Sequence, residues 1–331
     1  MSDGPVCSAN TASHMPRFMS CKLLNYKKLG ECDESAQSTS QKNGYSLSNC
    51  AHNAITWYSG SLRQGKSVLR IALTILVLSL VACSGVPTTF DPTYPISAEE
   101  FSSDLFDKSL RVHVHDGEVD YPAIKKDPGF IKYLDQLNRV DPNQLTHDDR
   151  LAFWINAYNA FAIQGILDGL TPATYVGWYR YFKGREYGVG GRRLTLSDVE
   201  HEIIRKQFHD PRVHFAIVCA SVSCPKLQNW TYEGARLNQQ LDQVAREFIN
   251  DPTKNRISRM TKTLHLSKIF DWFTEDFIAQ TGSLQKYLAP YVADAELAKD
   301  LTVTPYHIEY LDYDWSLNGT PPESLVSGRT M

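Results

Sequence analysis

The sequence has no basic run, and that absence excludes a class of partner. Residues 1–82 hold eight Lys or Arg and four Asp or Glu, against 34 and 37 in the full chain. Residues 83–331 therefore carry 26 basic and 33 acidic residues, a net of −7. A mildly acidic region without a Lys/Arg cluster offers no electrostatic footprint for nucleic acid. Cysteine is scarce and scattered. Of seven in all, Cys7, Cys21, Cys32 and Cys50 fall in a Ser- and Asn-rich segment, and their spacings match no zinc pattern. Long apolar stretches are missing too. The apolar run Ile71–Ala82 has 12 residues, too short at ~1.5 Å per helical residue to cross a ~30 Å hydrocarbon core. No internal repeat is visible, and no motif encodes a substrate or calls for a cofactor or metal. What is present is apolar and aromatic content, 42% and 11% of 331 residues, which supplies a sizeable core.

The amino-terminal third reads as processing rather than fold. A short positive region, Arg63 to Arg70, precedes the apolar run, and Cys83-Ser84-Gly85 follows it. Charge, apolar core and small-residue cleavage site are the parts of a secretory signal. Leu80-Val81-Ala82-Cys83 resembles the lipobox of bacterial lipoproteins. That resemblance implies cleavage before Cys83, lipidation of its sulfur and attachment of the chain to a membrane. With no acidic residue at 84 or 85, it further implies the outer membrane, facing the periplasm. The expected organisation is an unstructured extension over 1–62, a start misplaced upstream of Leu62 or Val68, with a signal over 63–82. A lipidated tether over 83–95, one domain over 96–317 and a flexible tail over 318–331 complete it.

Within the domain, Ser97 with Glu100 has the pattern of a capping box and predicts a helix start. Asp116-Gly117 predicts a tight hairpin turn, with His113 and His115 on one strand face. Spacings of three predict a helix over 129–140. The longest helix is expected from Thr146 to Leu167, stopped by Gly169, and is apolar nearly all round, so it must be buried. Ser197 and Glu200 predict another capping box, and Val213–Ala220 reads as a buried strand. The aromatic and glycine-rich stretch from Trp178 to Leu196 suggests a hairpin or a flap over a groove. Trp178, Tyr179, Tyr181, Phe182, Trp154 and Trp272 are its candidate lining. The fold expected is a single, mostly helical α+β domain packed around a small sheet, papain-like or transglutaminase-like in layout.

The end of the expected strand is the candidate site. Cys219 is either a thiol nucleophile or one half of a bridge to Cys224, unless the two cysteines are merely buried apart. His214 lies five residues before Cys219. On a strand that is about 16 Å and the opposite face, which makes His201 the better base. Asn156, Asn159, Asp276, Asp271, Glu200 and Glu202 are possible orienters. The two asparagines either tie down loop backbone or orient an imidazole, as asparagine does in papain-like thiol enzymes.

Five strings in order carry a family resemblance: Arg111–Tyr121, Ala152–Ala160, Asp198–Arg205, His214–Leu227 and Phe270–Phe277. Together they resemble the family known as domain of unknown function 547, over roughly 110–280. The resemblance implies an exported bacterial protein but no settled reaction. Two functions therefore stand as expectations. One is a thiol-dependent envelope hydrolase or transferase working in the aromatic groove. The other is a binding or assembly module for an envelope peptide, glycan or protein, with Cys219–Cys224 as a structural disulfide.

Overall fold

A computed structural model of the chain describes residues 95–326, which lie within one compact unit. The expectations for residues 1–94, with the signal and Cys83 among them, fall outside the described residues. The Ser97–Glu100 capping box forms, but it closes a single turn. The helix itself, α1, is Asp104–His113. It feeds β1 (Val114–His115), which turns at Asp116 and Gly117 into β2 (Glu118–Asp120). Both turn residues have positive φ, 51° and 89°, as a primed turn requires. His113 thus ends a helix instead of sharing a strand face with His115, and it pairs with Asp127 at 3.4 Å.

Next come α2 (Tyr121–Ile124) and α3 (Pro128–Arg139), capped by Asp120 and Asp127. The centre of the fold is α4, His147–Leu167. Thr146 caps its first turn and Gly169, at φ 81°, ends it. From Leu151 to Leu167 all but one of its side chains are buried, as its apolar circumference demands. Short helix α5 (Tyr175–Tyr179) runs into a π-turn at Arg180–Gly184. The hairpin β3 (Glu186–Val189) and β4 (Arg192–Thr195) follows. This hairpin is no flap. Tyr187 stacks on Phe161 of α4, and the Gly190 amide donates to the Leu137 carbonyl of α3.

A π-helical segment, Asp198–Ile204, continues as α6, Arg205–Phe208. Its start is held by reciprocal bonds between Thr195 and Asp198, not by Ser197 and Glu200. Val213–Ala220 is not a strand. Pro211–Phe215 is a 3₁₀ turn capped by Asp210, and an irregular buried segment follows. The remaining elements are α7 (Leu237–Asn250), β5 (Arg256–Ser258), β6 (Thr263–Leu266), α8 (Lys268–Trp272) and α9 (Thr274–Ile278). After them come α10 (Leu284–Leu288), α11 (Ala295–Val303), β7 (His307–Tyr310), β8 (Gly319–Thr320) and α12 (Glu323–Val326).

The result is a mostly helical α+β domain with three small sheets among the described residues, not one: β1–β2–β8, β3–β4 and β5–β6–β7. β8 lies parallel to β2, with Val119 opposite Gly319, so the domain does not stop at Leu317. Nothing in this topology singles out a papain-like layout. Among the described residues no helix is long and apolar enough to cross a membrane.

Candidate functional site

An irregular backbone buried in a core leaves amides and carbonyls to satisfy. The segment after the 3₁₀ turn solves this with a side chain of α4. Asn159 donates to the Ala216 carbonyl and accepts from the Val218 amide, both at 2.9 Å. Asn156 does the same for another loop, donating to the Tyr232 carbonyl at 2.8 Å and accepting from its amide at 2.9 Å. Two amides spaced three apart thus hold two loops in register, and neither hydrogen-bonds an imidazole among the described contacts.

Beyond Ala220, at φ 60°, the chain pairs with the carboxy-terminal segment. Val222 and Ser223 donate to the carbonyls of Ser316 and Asp314, and Ser221 bridges Leu317. This pairing carries Tyr313 onto Cys219 and Cys224, which form a disulfide with Cα atoms 6.3 Å apart, and sets Trp315 against Tyr313. Ser221 and Tyr313 hydroxyls lie 3.2 and 3.3 Å from Cys219 Sγ. Tyr313 also lies 3.1 Å from Cys224 Sγ. Burial raises the pKa of the Tyr313 phenol; its bond with Ser221 opposes the rise and Glu200 adds to it. Tyr313 and Ser221 are the site residues that sequence reasoning missed. Their only signal was membership of an aromatic tail and of a Cys-x-Ser spacing.

The histidines gather elsewhere, around Phe273. His214 is 3% exposed and stacks on that ring at 3.9 Å. Its Nε2 donates to Asp276 at 2.8 Å, while its Nδ1 is buried without a hydrogen-bond partner. Arg205 grips Asp276 with two bonds of 2.6 and 2.9 Å, and its third nitrogen donates to His201 Nδ1 at 3.0 Å. Burial lowers the His214 pKa against the opposing pull of Asp276 and Glu200. Burial would raise Asp276, but hydrogen bonds from His214 and Arg205 outweigh it and hold the carboxylate far below its usual range. Glu200 is buried and accepts from Tyr158 at 3.1 Å. The fold therefore joins His201, His214 and Asp276 through Arg205, which sequence reasoning did not single out. It gives Cys219 to Cys224, and none of the described hydrogen bonds links Cys219 to a histidine.

The expected groove residues are dispersed. Trp154 and Tyr181 are core, the latter donating to the Ala162 carbonyl at 2.9 Å. Tyr179 is exposed. The others join a strip that runs from Trp178 to Phe182 (5.2 Å), Trp315 (6.4 Å), Trp272 (5.7 Å) and Tyr313 (4.7 Å). Trp272 is 38% exposed. Two clefts lie apart from this strip. One, of about 580 Å³, starts at Pro225 and is walled by Asp116, Lys226, Glu247 and Asp251. The other, of about 480 Å³, holds Ser109, His113 and Asp127. In the second, Asp127 lies 3.4 Å from His113 while also capping α3. Among the described residues no three His, Cys, Asp or Glu are grouped as metal ligands.

No curated protein and no solved structure matches the chain. Residues 142–249 match a family model described as "Protein of unknown function, DUF547". The matched stretch holds Asn156, Asn159, Glu200, His201, Arg205, His214 and both bridged cysteines, while Asp276 and Tyr313 reach them from outside it. Over that third of its length the chain is similar to DUF547.

Proposed function

We propose that the protein is a lipid-anchored binding or assembly module of the cell envelope. Its working surface is the aromatic strip fastened over the Cys219–Cys224 disulfide, and its partner is an envelope polypeptide. The observation that carries this is Trp272, held 38% exposed while its ring packs on Tyr313 and Trp315. A large ring fixed half in water by pinned neighbours offers contact area at little entropic cost on binding. The bridge suits an oxidising compartment, and anchoring through Cys83 at the outer membrane, facing the periplasm, follows from the lipobox resemblance. A photoreactive side chain at position 272 tests the surface in cells, with Met260, the most exposed apolar residue described, as the control. The expected result is a discrete adduct from 272 and none from 260. Equal labelling from both would refute it. For the anchor, labelled palmitate should enter the wild type and not Cys83→Ser.

A thiol-dependent hydrolase or transferase is the second reading. One observation favours it: His214 is oriented by Asp276 and keeps an Nδ1 with no hydrogen-bond partner. It needs a reduced Cys219 within reach of that nitrogen. In the reduced protein, His214→Gln should then slow alkylation of Cys219 near pH 7; an unchanged rate would dismiss it.

A further inference from the structure

The two sulfurs of the bridge are not equivalent. Cys224 is 4% exposed, while Cys219 is only partly buried. The donors around them are unequal as well. The Cys219 amide donates to Cys224 Sγ at 3.0 Å. Tyr313 Oη is closer to Cys224 Sγ (3.1 Å) than to Cys219 Sγ (3.3 Å). Ser221 Oγ lies 3.1 Å from Tyr313 Oη, 3.2 Å from Cys219 Sγ and 3.4 Å from Cys224 Sγ. Each hydroxyl has one proton to give. Taking the shortest contact of each gives a relay in which Ser221 donates to Tyr313 and Tyr313 donates to Cys224 Sγ. Burial keeps the Tyr313 phenol protonated, and so a donor. Cys224 is therefore the sulfur prepared to carry negative charge, and Cys219 is the one nearer to solvent.

We propose that this bridge is exchange-active: a cysteine thiolate of the bound envelope polypeptide attacks Cys219 Sγ, and Cys224 departs as the thiolate. The proposal rests on the reading of the aromatic strip as a docking face and names the chemistry done there. A bond forms between the partner's sulfur and Cys219 Sγ. The Cys219–Cys224 bond breaks, and its electron pair goes to Cys224 Sγ, among the backbone amide and the Tyr313 hydroxyl. A leaving thiol whose anion is stabilised departs faster. A second thiolate of the partner then attacks the partner's own sulfur in the mixed disulfide and expels Cys219 as a thiolate. The partner dithiol loses two electrons and becomes a disulfide. The bridge gains them and becomes two thiols, taking up the two protons the partner gave to solvent. The bridge itself is the oxidant.

Reduced glutathione added to the folded, full-length protein tests this, with acid quenching and peptide mass mapping. Glutathione is expected on Cys219, with Cys224 free, while tryptophan fluorescence still reports the folded state. Tyr313→Phe keeps the ring packing and removes the donor, and it should slow the reaction about threefold to fivefold. Ser221→Ala, which removes the far end of the relay, should slow it less and serves if the first variant fails to fold. Three results would each overturn the proposal: a bridge that reacts only after unfolding, an adduct on Cys224, or an unchanged rate in the variant that folds. Crosslinking from position 272 reads docking without sulfur chemistry. Lost exchange with crosslinking intact overturns the exchange alone, and lost crosslinking with exchange intact overturns the docking face alone.

Discussion

Replacing Asn159 by alanine separates a scaffold from a catalytic orienter. The side chain is 4% exposed and makes two hydrogen bonds of 2.9 Å, to the Ala216 carbonyl and the Val218 amide. Truncation strips both main-chain groups of their partner in a space that water does not reach. A buried group left unsatisfied costs about 1–3 kcal/mol, so the loss should total about 2–4 kcal/mol after partial relaxation. Asn159→Asp is the sharper variant. Its carboxylate can still accept from Val218 but faces the Ala216 carbonyl with no donor, so it should be no better than alanine. Urea denaturation at constant m-value measures both. A residue that merely orients an imidazole would cost activity and little stability. A loss below about 0.5 kcal/mol in Asn159→Ala would mean that Asn159 does not hold the loop, since two buried main-chain groups would have lost their partner at no cost.

Acid stability should report His214 and Asp276 separately. His214 has a folded pKa below its ordinary value, so the unfolded chain binds the proton first and stability falls as pH drops below about 6.5. Asp276 is also depressed; its contribution is present above the ordinary carboxylate range and is lost as pH falls through its folded value. The fall in urea midpoint from pH 7 to 5 should be smaller in His214→Gln than in the wild type, and equal falls would refute the assignment. Gly319→Ala should cost about 2–4 kcal/mol, read by thermal unfolding. At φ 151° its new Cβ would press into the Val119 backbone across the β2–β8 pair, and an unshifted midpoint would remove this segment from the domain. Replacing both Cys219 and Cys224 by serine should cost about 2 kcal/mol for so short a loop, measured by the same denaturation.

The sequence signals that survive in the structure are local ones. Thr146, the apolar circumference and Gly169 mark α4 almost to the residue, and Asp116-Gly117 makes the turn its chemistry predicts. The failure at Val213–Ala220 is instructive. An apolar, β-branched run signals burial, and burial usually needs a neighbouring strand to satisfy the backbone. Here a helix side chain, Asn159, takes the neighbour's place, and Pro211 with Asp210 starts a 3₁₀ turn. Without the strand, the face argument that separated His214 from Cys219 loses its basis; the histidine bonds to Asp276 and the cysteine to Cys224. The Ser197–Glu200 box failed for a related reason. Glu200 is drawn inward by Tyr158, and Thr195 with Asp198 caps the turn. Tyr313 was beyond reach because it arrives 89 residues after Cys224, by main-chain pairing that leaves no periodic trace.

The role proposed for the aromatic strip requires Cys219 bonded to Cys224 beneath it. Protein isolated from cells under alkylating conditions, denatured without reductant and mapped by mass, tests this directly. The expected product is one linked peptide pair, Cys219 with Cys224, carrying no alkyl group on either sulfur. A quantitatively alkylated Cys219 beside a free Cys224 would contradict it.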